Sequence, residues 1–540
     1  MDKGIKNYIN RFHFIIGILL LLWSLISVLA GNVRRYGVLK WDISTVIYIL
    51  LFAFGLFLLE KAYSKIIDSN RTFLSRIHLF KWSKSGVLKG AVLFFVFYIV
   101  YFIIFFPGIT QYDTTYAIND FFDGYSTFIY EEGGWVEITA FLNDHHPIFD
   151  TFIYAIFIKV GDIVGNAYVG IALYSLLQLL AASLIFSFML CFMDKMGVKN
   201  GIKLFSFLIL VLPFIGVYEV TMLKDVIYGN LFVLYYINYI YLVKIQEKKH
   251  NFIYLLILAM FLSLTKKTGV YLVLLSLLPL LLLLKNKFKV LICMMIPTII
   301  MFVLLPKIIF PLFSIFPGGK QEVLGTFFQQ TALMVVLEED SISQEDKTVI
   351  DKVLKYDQLS SWYVADYTQL VKASMRWDAQ STDFIEYFKV WFKQGVRHPD
   401  VYVRATLGTC GGFFSPVNGQ IEIYTDIAVS ETDSSENTQD YGALTKLREW
   451  FISFYDQLAN FKGNFLFYLF TYVWIIPGLI LCKIVSDREW RSLICMFPVF
   501  ISILLLVVCP LTKTRYAFSQ ILVIPLILAL SGKKKRFFDI

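Results

Sequence analysis

Long apolar runs separated by short polar turns account for most of the chain. They fall near residues 13–30, 43–59, 87–106, 167–193, 202–221, 226–243, 251–265, 268–284, 289–312, 465–484, 492–510 and 515–531. A helix of about 20 mostly apolar residues crosses the hydrocarbon of a bilayer, so these runs predict about twelve transmembrane helices. Membrane barrels show short alternating segments instead, a pattern not found here. The expected fold is an all-α membrane protein.

Two stretches break the rhythm. Residues 148–165, IFDTFIYAIFIKVGDIVG, are apolar but interrupted by Asp150, Lys159 and Asp162; they predict a helix lying along the outer surface of the membrane. Counting them as a span would turn the basic loops Lys195–Lys203, Lys244–Lys249 and Lys285–Lys289 outward, against the positive-inside bias. The second is a polar segment from about Ser314 to Gly463. Within it Ser343 and Asp346 form a capping box ahead of Val349, Ile350, Val353 and Leu354, and a second helix is predicted from Thr382 to a stop at Gly395. Glu431–Asp440 reads as a mobile loop. The predicted layout is an N-terminal pair of spans (1–86), a transmembrane core (87–312) with a large first loop (107–166), a mainly α extracytoplasmic domain (313–463) and three last spans (464–540).

Composition agrees with that layout. The chain of 540 residues is 57% hydrophobic and 17% charged, against about 25% charged in soluble domains. Its net charge of +8 resides in short loops, where lysine and arginine set orientation, so nucleic acid is not an expected partner; the lipid bilayer is. Lys3, Lys6, Arg11, the Lys61–Lys84 loop and Lys533–Arg536 place both termini in the cytoplasm of a plasma-membrane protein. The first apolar run is longer than the usual signal-peptide core of about 7–15 residues, and a retained span is expected. Five of the six cysteines lie in or beside apolar runs, which gives neither a disulfide framework nor a metal knuckle.

The candidate chemistry begins in the first loop, FPGITQYDTTYAINDFFDGYSTFIYEEGGWVEITAFLNDHHP, which leaves a span at Pro107-Gly108, offers Tyr112-Asp113 and closes on His145-His146. Asp120, Asp123, Glu131 and Glu132 in the same loop read as a solvated face. Outward turns should lack cations, yet Lys224-Asp225, Lys266-Lys267 and Lys513 with Arg515 each stand at the outer start of a descending helix. Free backbone N–H groups and the positive dipole end favour a phosphate there; snorkelling to headgroups is the plain alternative. Arg34, Arg35 and Lys40 read as headgroup contacts. Span interiors show almost no ionisable residue, unlike those of ion-coupled transporters.

From about residue 90 onward the phrases FPGITQYDTTYAI, NDHHPIFDTFIY, MLKDVIYG, LTKKTGVYLV, FFQQTALMV, RHPDVYVRATLGTCGGFFSP and TRYAF give the chain a likeness to a known group. It resembles the GT-C superfamily of membrane glycosyltransferases, and more closely an uncharacterised multi-pass bacterial family related to it. The resemblance implies inverting transfer of a sugar from a polyprenyl-phosphate donor to a glycopolymer acceptor of the cell envelope. It makes Asp113 the general base. Many GT-C members carry two adjacent acids at this point, whereas Asp113 stands alone between Tyr112 and Thr114.

On that reading the acceptor hydroxyl loses its proton to a carboxylate and the departing lipid phosphate is met by cations. Lys224, Lys266, Lys267, Lys513 and Arg515 are the donor-phosphate candidates, with His145 and His146 bonding the phosphate or orienting Asp113. Asp225, Tyr112, Arg404 and His398 are acceptor-binding or supporting residues. Two histidines and one distant Asp are a thin ligand set for a metal, so no metal or cofactor is expected. The rival readings are a lipid-linked saccharide translocase, which would use the same cations without a base, and a non-enzymatic envelope-assembly protein.

Overall fold

A computed structural model of the chain describes residues 3–68, 80–131, 134–245, 249–428, 442–461 and 463–531. The middle of the Lys61–Lys84 loop, Glu132, Glu431–Asp440 and Lys533–Arg536 lie outside these described residues. The protein is 77% helical, and eight of its described helices are long and apolar enough to cross a membrane. It is an all-α multi-pass membrane protein.

The other four predicted runs differ from these eight in a definite way. Residues 200–219 form two helices, Asn200–Leu210 and Pro213–Glu219, bent by 62° at their junction. Leu212 adopts an extended conformation there because the residue before a proline is pushed out of the helical region. His250–Thr265, Lys267–Leu283 and Thr471–Ser486 are apolar but short, about 25 Å at 1.5 Å per residue. The span count of twelve is therefore a finer statement than these helices carry.

Helix Lys84–Ile104 runs antiparallel to Ala167–Lys195, with Gly90 against Ser187 near one end and Gly108 against Ile171 and Ser175 near the other. The Trp82 amide and the Lys203 ammonium both donate to the Asp194 carboxylate, at 2.9 and 2.6 Å, and tie the far end together. The interrupted stretch forms helix Ile148–Ile163, which is not among the candidate spans. It packs on the first turns of Ala167–Lys195, where a Cβ on Gly170 would lie 2.1 Å from the Phe157 carbonyl oxygen. Those turns are level with Gly108, so the helix stays at the end of the bundle that carries the polar segment.

The polar segment builds its own core from Phe328, Leu333, Ile350, Leu359, Val371 and Tyr387. Ser343 caps helix Gln344–Asp351 by accepting from the Asp346 amide at 3.1 Å. The Asp346 carboxylate does not close the box and instead takes Lys393 at 3.0 Å. Helix Ser381–Arg397 runs through the predicted stop at Gly395. There glycine serves close packing: its Cβ would stand 2.8 Å from the Tyr402 ring.

Three pairs of strands were not anticipated. Ile109–Thr110 pairs in parallel with Thr221–Met222, Leu142–Asn143 pairs in parallel with Ile315–Phe316, and Tyr125–Glu131 with Gly134–Ala140 makes an antiparallel hairpin. The N-terminal pair of helices, Lys3–Tyr36 and Ile43–Asp68, packs against the Thr471–Ser486 helix. Trp23 and Trp474 stack at 3.9 Å and donate to each other's backbone carbonyls. Arg34 corrects the headgroup expectation. It donates to the Gly408 and Asn418 carbonyls at 2.8 and 3.0 Å and lies 3.4 Å from Asp366, locking the first helix to the polar segment.

Candidate functional site

Helix Tyr112–Asp123 starts immediately after the Ile109–Thr110 strand, and helix Lys224–Lys244 immediately after its partner Thr221–Met222. The pairing therefore delivers Asp113 and Lys224 to one place. Gln111 caps the first helix: its side-chain oxygen accepts from the Asp113 amide at 2.8 Å and from Arg515 at 3.3 Å. Asp113 Oδ2 accepts from Arg515 Nη1 at 2.7 Å and lies 3.4 Å from Lys224 Nζ and 4.0 Å from His146 Nδ1. The Lys224 ammonium donates to His146 Nδ1 at 3.0 Å, which makes that nitrogen the acceptor of a neutral imidazole.

Around this group stand further pairs. Lys266 contacts Asp225 at 2.6 Å and lies 5.3 Å from the centres of the Tyr228 and Tyr516 rings. Lys267 holds Asp144 at 2.8 Å. His145 stacks edge-on against His146 at 4.6 Å and faces Glu322 at 4.0 Å, a carboxylate that also accepts from Lys372 at 2.6 Å. Lys513 is turned outward to an exposed pair with Glu422 at 2.6 Å. Tyr112 is exposed and packs on Tyr116. His398 lies 3.8 Å from Glu338, and Arg404 acts on Tyr363; both contacts belong to the polar segment. The structure thus brings together Asp113, His145, His146, Lys224, Asp225, Lys266, Lys267 and Arg515, and leaves Lys513, Arg404 and His398 outside.

Lys224, Lys267 and Arg515 occupy the first turns of three helices whose N-cap residues, Leu223, Lys266 and Lys513, make no side-chain cap. Uncapped N-termini leave backbone donors for a ligand. The charges reinforce this. Lys266, Lys267 and Lys372 each have a carboxylate partner, while Asp113 alone faces both Lys224 and Arg515. With buried Asp150 neutral, one positive charge among the described residues is left over, the sign a phosphate requires.

Proton affinities follow from the same contacts. Burial pushes the Asp113 carboxyl up, but Lys224 and Arg515 outweigh it and hold it well below the usual carboxylate range. Burial, with Lys224 behind it, pushes His146 well down and keeps the ring neutral. Asp144 is raised by burial, which Lys267 offsets only in part.

Asp150, read from sequence as a mere interruption, belongs to this neighbourhood. It is 1% exposed, and among the described residues neither of its carboxylate oxygens has a hydrogen-bond partner. Burial drives its proton affinity well up, with Lys224 opposing and Asp225 adding to the shift. Glu322 and Lys372 also escaped the sequence reading, since nothing in a polar segment marks two charges as inward-facing. Besides Asp225, a buried carboxyl sits inside a candidate span at Glu60, beside Lys61, and another at the end of the bent helix pair at Glu219, which accepts from Asn230 at 2.9 Å. Among the described residues there is no group of three or more His, Cys, Asp or Glu placed to hold a metal ion.

No curated protein and no solved structure matches the chain. A family model described as a family of unknown function, DUF6020, matches residues 82–537, which leaves only the N-terminal pair of helices and the last residues outside it. Because that match takes in the whole site and well over half the chain, the protein belongs to DUF6020.

Proposed function

We propose that the protein is a glycosyltransferase of GT-C type, moving a sugar from a polyprenyl-phosphate donor to a cell-envelope glycopolymer on the outer face of the plasma membrane. The observation that carries this reading is the convergence of Asp113 and His146 of the first loop with Lys224 and Arg515, the last two at uncapped helix starts.

In the proposed reaction an acceptor hydroxyl attacks the anomeric carbon as the bond from that carbon to the phosphate oxygen breaks. The bonding electron pair leaves with the lipid phosphate, where Lys224 and Arg515 meet the growing negative charge. The hydroxyl proton passes to Asp113. At rest this carboxylate is a poor proton acceptor because two cations face it. A donor phosphate seated on Lys224 and Arg515 draws those charges away and adds its own negative charge, and both changes raise the basicity of Asp113. Substrate binding thus prepares the base.

The ion pair of Arg515 with Asp113 also favours a second reading, a lipid-linked saccharide translocase, in which the carboxylate only holds the empty cation seat in shape. Mass spectrometry of envelope polymers from cells with the wild-type gene, without it, and with Asp113→Asn separates the two. A transferase loses the same glycan in the last two strains; a translocase with Asp113→Asn keeps it.

A further inference from the structure

Helix Ala443–Asn460 crosses the end of the Lys84–Ile104 span. Its Arg448 donates from Nε and Nη2 to the Ile104 and Phe106 carbonyls at 3.3 and 3.1 Å, and Phe451 packs edge-on against Tyr101 and Phe105. Arg448, Phe451, Tyr455 and Ala459 are its buried face. At about 100° per residue, the rest of its surface divides into two further sectors. One is polar and carries Glu449, Ser453, Asp456 and Gln457, which line an open groove. The other carries Leu447, Trp450 and Phe454, which are 38, 60 and 41% exposed, with the last two rings stacked at 5.5 Å.

A soluble helix on a domain surface needs two faces, one toward the core and one toward water. This one has three, each near a third of the circumference. Its neighbours are apolar too. Val100, Ile103 and Phe106 at the end of the span it packs on are exposed, and Phe461, Phe465 and Leu466 beyond its own end are exposed as the chain enters the apolar helix Thr471–Ser486.

We infer that helix Ala443–Asn460 lies in the headgroup region of the bilayer, with Trp450 and Phe454 in lipid, Ser453 and Asp456 in water, and Arg448 and Phe451 against the bundle. Aromatic rings are favoured at that depth because they present an apolar body to the acyl boundary. The occupant of the apolar sector is lipid and not a second copy of the chain, because the helix packs on the end of a span that exposes apolar residues of its own, and its chain runs on through exposed aromatic residues into an apolar helix. Through Arg448 this helix ties the membrane surface to the start of the first loop, which leads to Asp113, and through Tyr455, whose hydroxyl donates to the Ile421 carbonyl at 2.8 Å, to segment 421–428, whose Asp426 carbonyl accepts from the Thr110 amide at 2.9 Å.

The test places nitroxide labels at Trp450→Cys, Phe454→Cys, Ser453→Cys and Asp456→Cys, one at a time, in the full-length protein in lipid nanodiscs. The six native cysteines are buried or half-buried, and the unlabelled parent serves as blank. Collision rates with oxygen, which concentrates in lipid, and with a neutral nickel chelate, which stays in water, give a logarithmic ratio. The expected result is a positive ratio at 450 and 454 and a negative one at 453 and 456. A negative ratio at all four positions overturns the inference, and so does shielding of 450 and 454 from both reagents, which a protein partner or a second copy would produce.

Discussion

Arg515 and Asp113 are 402 residues apart in sequence and 2.7 Å apart in space. The guanidinium stands one residue inside the helix that begins at Thr514, and the carboxylate one residue inside the helix that begins at Tyr112. Two helix starts therefore face each other across a single ion pair, with Lys224 supplying a third.

Replacing Asp113 by Asn keeps the shape and removes the charge. Turnover should fall by about 10²–10⁴, the usual worth of a positioned base, while affinity for inorganic phosphate, read by calorimetry, rises because Lys224 and Arg515 are no longer neutralised. Unchanged turnover in a folded variant would remove Asp113 from the chemistry.

His146 is held neutral with its folded pKa below the unfolded value of about 6.5. Its contribution to stability is present above about pH 6.5 and drains away as the pH falls from there toward the folded value, since the unfolded chain takes the proton first. His146→Asn should flatten the acid side of a plot of Tm against pH. A parallel curve for the two proteins would show that folding leaves the proton affinity of His146 unchanged.

Asp150 has the opposite sign. Its folded pKa is raised above the unfolded value of about 3.9, so its contribution is present below that value and is lost as the pH climbs through the folded pKa. Asp150→Asn should match wild-type stability in acid and exceed it in alkali. A variant that unfolds more readily at neutral pH would mean that the ionised carboxylate has a native partner.

Gly170→Ala places a methyl group on the Phe157 carbonyl and should cost about 1–3 kcal/mol, as overpacking does. Gly55→Ala, where a Cβ meets nothing within 4 Å, should be neutral or stabilising by about 0.5–1 kcal/mol. Thermal unfolding of both in one detergent checks the pair; equal effects would show that the hairpin at Gly170 is looser than described.

Arg34→Ala strips donors from the Gly408 and Asn418 carbonyls and should cost about 1–3 kcal/mol. The loss should appear first as faster proteolysis of the segment between the two N-terminal helices. Unaltered digestion would mean that the stacked tryptophans alone hold the pair.

The sequence showed the helices and the cations at their starts, because apolar runs of span length and charges on the wrong side of a membrane are local signals. It also singled out Asp113, His146, Lys224 and Arg515, although it could not say that they touch. Asp150 went unseen because an acidic residue in an apolar helix reads the same whether it faces water or lies buried. Arg34 was misread for a related reason: headgroup contact and capture by a distant carbonyl have one signature in sequence. The two-residue strands are too short to leave any period at all.

Those shortest elements set the tightest tolerance in the molecule. Thr110 is paired with Met222, three positions ahead of Asp113 and two ahead of Lys224, so the strand register, backed by the Thr114 hydroxyl on the Met222 carbonyl, sets the offset between carboxylate and ammonium. Sliding one strand by a single residue would displace them by about 3.3 Å, as much as their whole separation. One amino acid inserted between Thr110 and Asp113 should therefore silence the centre as completely as deleting either charge, while every helix of the bundle keeps its place.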